Sequence, residues 1–208
     1  MNRPLFVSLD GPKGTGKTTL LEAITKVLRA DNHKVIRLCE RNNDPNRGET
    51  MALVNQLARN PCRDLELGVC ERLADSRSWM TQHVLPKQPP GSIILIDRWY
   101  PSDAAFRRII PFAEILQLNM DRNVQVPDLH VGVVTDLRFY SVNGKFGEVQ
   151  AVNAEENSFR IYQVFGGGTV TLAYDELVAS GRARARVGQG TVDVRRRITF
   201  LATNNIAF

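Results

Sequence analysis

Apolar positions run in short blocks and helix-spaced series through residue 136, then switch to strict alternation. Pro4 to Leu9 (PLFVSL) is a short apolar run that stops at Asp10-Gly11 and predicts a strand. From about Lys17 to Ala30, Leu20, Leu21, Ile24, Val27 and Leu28 recur at helical spacing. Asp31-Asn32-His33 breaks that helix, and Lys34 to Cys39 (KVIRLC) reads as a second strand, which completes a βαβ unit. A polar loop, Asn42 to Gly48, leads to helical patterning over Thr50 to Arg59 and from about Asp64 to Leu85. Gln88-Pro89-Pro90-Gly91 signals a turn. Ser92 to Ile96 (SIILI) is continuously apolar, as expected of a strand buried on both faces. Ala104 to Met120 reads as helix interrupted at Pro111, and Leu129 to Val134 as a fourth strand.

Beyond Asp136, Glu148 to Val152, Ser158 to Val164 and Thr169 to Tyr174 alternate β-branched or aromatic residues with polar ones. The expected organisation is therefore an α/β core over residues 1–136, a parallel sheet flanked by helices, and a small β-rich segment over 137–208. The boundary falls near Asp136 to Asn143. Ile198 to Thr203 either completes the sheet or belongs to a separate barrel.

At 208 residues and 43% apolar, the chain can bury a sizeable core. No apolar run approaches the roughly 18 residues of a membrane span, and the N-terminus enters a strand directly instead of a charged leader, so a cytosolic protein with no membrane partner is expected. Cys39, Cys62 and Cys70, with no C-x-x-C pair, argue against a disulfide framework or a zinc site. The net charge of +5 becomes informative only when placed: the six arginines and single aspartate of Val178 to Phe208 concentrate it late. Arg182, Arg184 and Arg186 would share one face of an extended chain, and with Arg195, Arg196 and Arg197 they form a stripe that can track a phosphate backbone or simply remain solvated.

Gly11-Pro12-Lys13-Gly14-Thr15-Gly16-Lys17-Thr18 satisfies G-x-x-x-x-G-K-S/T between a predicted strand and a predicted helix. In that context the glycines let backbone N–H groups converge on phosphate oxygens, and the helix N-terminus adds partial positive charge. Lys17 would reach the β- and γ-phosphates of ATP, with the Thr18 hydroxyl on Mg²⁺ and Thr19 beside it in the same first turn. Asp97-Arg98 ends the third strand, where ligands of a parallel sheet bind. Asp97 is placed to help hold Mg²⁺ or to accept a hydroxyl proton, and Arg98 to clamp an acceptor phosphate.

Together these segments resemble the thymidylate kinase family. FVSLDGPKGTGKTT is similar to its strand and phosphate loop, Glu40-Arg41 to its acceptor-binding element, and Leu73-Ala74-Asp75-Ser76-Arg77 to its phenylalanine-to-arginine helix motif. Asp97 to Phe106 resembles its "DRY…S…AY/AF" segment, and Pro127-Asp128-Leu129 the "PDL" opening its fourth strand. The resemblance, over residues 3–136, implies phosphoryl transfer from ATP with Mg²⁺ to a thymidine-type nucleotide. It also implies that Arg41, Arg77 and Arg98 surround the acceptor, that Phe106 helps enclose the pyrimidine, and that a homodimer through sheet-flanking helices is one available form.

Three departures point to a different acceptor. The family carries a carboxylate for the free 3′-hydroxyl where Lys13 stands, and a lysine suits instead a 3′-oxygen bearing a phosphate, as in DNA. Leu73 occupies the place of an aromatic ring that stacks on thymine. The family's lid and C-terminal helices are not recognisable after Asp136. These fit a phage-encoded kinase acting on the hydroxymethyl group of 5-hydroxymethyluracil in DNA, working in the host cytoplasm. The alternatives are a thymidylate kinase with a rebuilt lid, acting on free thymidylate, and a nucleic-acid-dependent ATPase.

Overall fold

The computed structural model describes residues 3–11, 17–135, 169–173 and 197–203. The expected strands Glu148 to Val152 and Ser158 to Val164, the loop residues Pro12, Lys13, Gly14, Thr15 and Gly16, and Arg182, Arg184, Arg186, Arg195 and Arg196 lie outside them.

In chain order the elements are β1 (Leu5–Asp10), α1 (Lys17–Ala30), β2 (Val35–Cys39), α2 (Glu40–Asn43), α3 (Arg47–Arg59), α4 (Arg63–His83), β3 (Ile93–Asp97), α5 (Tyr100–Phe106), α6 (Phe112–Asp121), β4 (Leu129–Thr135), β5 (Thr169–Ala173) and β6 (Arg197–Thr203). The expected loop at Asn42 to Gly48 is shorter than the pattern suggested, because Glu40 turns inward onto Arg77 and closes the strand end into one helical turn. The helix expected from Ala104 begins earlier, at Tyr100, since Pro101 sits in its first turn, where a missing N–H costs nothing. Pro111 then separates it from α6.

The sheet order is β2-β3-β1-β4-β6-β5. β2, β3, β1 and β4 are parallel, and β6 and β5 extend the sheet antiparallel beyond β4. Ile198 to Thr203 therefore completes the sheet, with Ile198 opposite Thr135 and Thr203 opposite His130. β1 leads out to β2 on one side while its neighbour β3 leads to β4 on the other, so the strand order reverses between β3 and β1. The crevice beyond their carboxyl ends is where a parallel α/β sheet takes its ligand.

Alternation along β1 sends Val7 and Leu9 into one cluster with Leu20, Leu21, Leu95 and Val133. Phe6 enters the other, with Met80, Ile94, Ile96, Trp99, Tyr100 and Leu116. Phe6 meets Trp99 edge-on, ring centroids 5.3 Å apart. Asp128, the polar residue of Pro127-Asp128-Leu129, donates its amide to the Phe6 carbonyl at 2.8 Å and accepts the Phe6 amide on its carboxylate at 2.8 Å. That pair of bonds pins the start of β4 to β1. Glu66 of α4 similarly gathers the amides of Arg108, Ile109 and Ile110 on one oxygen, at 2.8 to 3.0 Å, and fixes the turn between α5 and α6. Among the described residues no helix is long and apolar enough to cross a membrane, and the three cysteines are unpaired.

Gly11, at the exit of β1, has φ +154, and a Cβ there would stand 2.1 Å from the Val133 carbonyl oxygen. Neither the backbone angle nor the space admits a side chain. Gly11→Ala should destabilise the fold by at least about 2 kcal/mol in urea unfolding. Gly68→Ala in α4, where nothing lies within 4 Å, should leave stability unchanged or raise it by up to about 1 kcal/mol.

Candidate active site

Period two along β1 puts Ser8 and Asp10 on the face that carries Phe6, and in-register pairing sets His130 of β4 beside Ser8. Each of these polar side chains interrupts an otherwise apolar strand, and each is at most 1% exposed. Their hydrogen bonds close on one another. Asp10 Oδ1 accepts from the Trp99 amide at 2.9 Å, the Ser102 amide at 3.0 Å and the Ser102 hydroxyl at 2.7 Å. Asp10 Oδ2 accepts from the Ser8 hydroxyl at 2.8 Å. With its proton so committed, Ser8 Oγ accepts from His130 Nδ1 at 2.8 Å, which leaves Nε2 to accept from the Tyr100 hydroxyl at 3.1 Å. Burial alone would raise the Asp10 pKa, but His130, the Ser102 hydroxyl and the Trp99 amide hold it below the ordinary value. Burial and the Asp10 charge push the Tyr100 phenol upward, consistent with its donor role.

This carboxylate seats the segment from Arg98 to Ser102. Arg98 has φ +73, a left-handed conformation rare for a side chain of its size, and its amide donates to the Leu9 carbonyl at 3.0 Å. The turn points the Arg98 guanidinium over the Phe106 ring, 4.8 Å from its centroid. Lys17, at the start of α1, is 6% exposed. Burial first, and then the nearby Arg98 charge, push its ammonium down to about 7, against the pull of Asp97 and Asp10. Burial also lowers the Arg98 pKa, with the nearby carboxylates opposing it. The two cations thus stand in a partly desolvated crevice, an environment that favours a polyanion.

Asp97 ends β3 beside Cys39 in register, and its Oδ1 is buried without a hydrogen bond. A buried carboxylate oxygen left open at the nucleotide end suits a hydrated cation, and Mg²⁺ is commonly held by one or two carboxylates together with substrate phosphates. The residues present fit that group: Asp97, with the exposed Thr18 of the first helical turn, would hold it. Among the described residues no set of three or more His, Cys, Asp and Glu side chains makes a self-sufficient metal cage.

Lys17, Asp97, Arg98 and Phe106 are therefore brought together, with Thr18 and Thr19 exposed at the same helix start. Arg41 is exposed on α2, and Leu73 is half-buried on α4 one turn before Arg77. Arg77 itself is 1% exposed. Its Nη1 donates to Asp103 at 3.2 Å and Asn119 at 3.3 Å, and its Nη2 to Glu40 at 3.3 Å. Its Nε lies 3.0 Å from Glu40 Oε1, an ion pair outside hydrogen-bond geometry, which leaves both atoms without a directed bond. Arg107 completes the cluster on Asp103 at 2.8 Å. Burial pushes the Glu40 carboxyl up to about 7 despite Arg77, helped by the neighbouring Asp103 charge. Burial opposes the Arg77 charge, but Glu40 and Asp103 outweigh it and hold the guanidinium above its ordinary pKa.

Residue patterns missed Asp10, Ser8, His130 and Tyr100. The available signal was a polar residue set inside a continuous apolar strand, as in FVSLD and LHVGVV.

No family model matches the chain. It is similar to the thymidylate kinase of Leptospira borgpetersenii serovar Hardjo-bovis, 28% identical over 134 residues that make up 62% of this chain and 62% of that protein. It is 29% identical over 122 residues to the thymidylate kinase of Clostridium novyi, covering 57% of this chain and 59% of that protein. It is also 29% identical over 125 residues to that of Halalkalibacterium halodurans, covering 57% and 58%. The chain spans about three fifths of the length of the curated relatives it matches.

Two outcomes follow from the charges. A phosphate arriving at Lys17 restores its ammonium, so nucleotide binding should take up a proton. Calorimetry in buffers of differing ionisation enthalpy should show greater uptake at about pH 8 than at about pH 6, and Lys17→Met should remove the difference. Replacing Arg77 with Leu strands Glu40 and Asp103 without their counter-charge, and should cost about 3–5 kcal/mol in urea unfolding. Arg77→Lys should recover little, because one ammonium cannot reproduce the three-sided fork.

Proposed function

We propose that the chain is an ATP- and Mg²⁺-dependent phosphotransferase of the thymidylate kinase type, and that its acceptor is the hydroxymethyl group of 5-hydroxymethyluracil in DNA. The observation that carries the kinase reading is the convergence of Lys17, Asp97 and Arg98 at the carboxyl ends of β1 and β3. The similarity to thymidylate kinases supports the same reaction class. A simple ATPase switch has no evident use for Arg98 held strained above Phe106.

Mg²⁺, when bound, offsets negative charge on the transferring phosphoryl. Lys17 binds the β- and γ-phosphates from within the crevice, and the guanidinium of Arg98 lies where the acceptor approaches. In the transfer, the acceptor oxygen forms the new bond to the γ-phosphorus as the bond to the bridging oxygen breaks and ADP leaves. A primary hydroxyl must also lose its proton, and the Asp97 carboxylate takes it. A nucleotide phosphate acceptor, already anionic, would need no such base.

Support for a DNA acceptor comes from the base side and from charge. Arg77, which the family resemblance assigns to the acceptor, already bonds Glu40, Asp103 and Asn119 through its two Nη atoms, and Leu73 offers no ring to stack on. Lys13 replaces the family carboxylate with a cation suited to a 3′-phosphate. Arg197 opens β6 opposite Ala173, one residue beyond the pairing of Ile198 with Thr135, and so begins at the carboxyl end of β4, the crevice end of the sheet. Thymidylate kinase activity on the free nucleotide is the second reading, favoured by the similarity to thymidylate kinases. A homodimer belongs with either reading.

Incubation with γ-labelled ATP, Mg²⁺ and either thymidylate or DNA containing 5-hydroxymethyluracil separates the readings. Label in the DNA is expected. Label confined to the nucleotide would overturn the acceptor assignment, and DNA-stimulated phosphate release without transfer would overturn the kinase. Lys17→Ala should abolish transfer to any acceptor. Lys13→Glu should weaken transfer to DNA more than transfer to thymidylate, and equal losses would count against the 3′-phosphate argument.

A further inference from the structure

We infer that Ser102, seated on Asp10, is a positioning residue that couples the nucleotide loop to Arg98, so that occupancy of one side sets the geometry of the other. The link is one hydroxyl. Ser102 Oγ donates its single proton to Asp10 Oδ1 at 2.7 Å and accepts from the Gly11 amide at 3.2 Å. Gly11 is the first residue of the phosphate loop, and its amide cannot turn elsewhere, since the residue is wedged at φ +154 against the Val133 carbonyl. On the other side the same Asp10 oxygen holds the Trp99 and Ser102 amides, on either side of the first turn of α5. Arg98, immediately before Trp99, is left with its amide on Leu9 and its backbone at φ +73.

Asp10 cannot shift to accommodate either side. Its second oxygen is taken by Ser8, which His130 and Tyr100 back in turn, and no member of that chain is more than 2% exposed. Remove the Ser102 hydroxyl and the Gly11 amide is buried without an acceptor, while Asp10 loses one of three donors on Oδ1. The loop and the arginine would then find their positions independently. Arg98 would still bind anions, but its guanidinium would no longer be set by the phosphates already bound.

The geometry stands by itself, and its consequence for rate rests on the phosphotransfer reading. The test is amide hydrogen exchange with and without ATP and Mg²⁺, alongside ATP affinity and the transfer rate. In the unaltered protein, ATP should slow exchange at Trp99 and Ser102. In Ser102→Ala that response should disappear, with the ATP Kd changed less than about threefold and kcat lowered by roughly 100-fold, the scale expected of a misplaced reacting group. An undiminished ATP response in Ser102→Ala would overturn the inference, as would parallel loosening at Ile94 and Leu95 in the middle of β3. Should Ser102→Ala not fold, Asp10→Asn, which keeps an acceptor oxygen for the amides, carries the same measurement with a partial loss expected. If the unaltered protein transfers no phosphate to any acceptor, the kinase reading fails, while an exchange response lost in Ser102→Ala still upholds the coupling.

Discussion

The carboxylate of Asp10 is the point on which this fold turns from scaffold to site. It is fully buried, and an unpaired ionised carboxylate there would carry a penalty far beyond what a domain of this size can absorb. Four donors offset that cost, and each of them belongs to a segment that needs fixing: Ser8 within β1, Trp99 after the strained arginine, and the amide and hydroxyl of Ser102 in α5. The requirement to satisfy one charge therefore aligns the ends of β1 and β3 with the start of α5. Arg98 can hold a left-handed backbone because the residues on both sides of it have no other place to bond.

Charges in the crevice are arranged on the same economy. Lys17 and Arg98 are both pushed toward their neutral forms by burial, and the site is destabilised for cations until an anion enters. Arg77 is the opposite case. Glu40 and Asp103 keep it charged and hold it in place, and Arg107 shares the load on Asp103. Burial thus works against the charges of Lys17 and Arg98, whereas carboxylate pairing sustains that of Arg77. The difference between them is not in residue type but in direct contact: Glu40 and Asp103 pair with Arg77, Arg98 lies over the Phe106 ring, and Arg41 is exposed, so three arginines that look alike in the sequence stand differently in the fold.

That contrast marks how far the sequence could be read. Strands β1 to β4 and helix α1 were legible because continuous apolar runs and a clean helical period identify elements buried on both faces. Gly11 to Thr18 and Asp97-Arg98 stood out as candidates because each lies at a predicted strand end, where a parallel sheet takes its ligand. The early start of α5 at Tyr100 and the single turn of α2 were not legible, since both depend on partners distant in sequence: the Asp10 carboxylate for one, Arg77 for the other. The buried chain from Tyr100 through His130 and Ser8 was out of reach for the same reason. Its members are apart in sequence and become neighbours only through the parallel pairing of β1 with β4.

The antiparallel strands give the late charge a direction it lacks in composition. A parallel sheet presents all its carboxyl ends to one crevice, and a strand added antiparallel presents its amino end there instead. β6 is such a strand, and Arg197 is its first residue. Two strand spacings separate β6 from β1, about 10 Å across the sheet, and β4 runs on past the level of Asp10 before it meets Ile198. Antiparallel order, more than the number of arginines, is what sets Arg197 at the crevice end of the sheet.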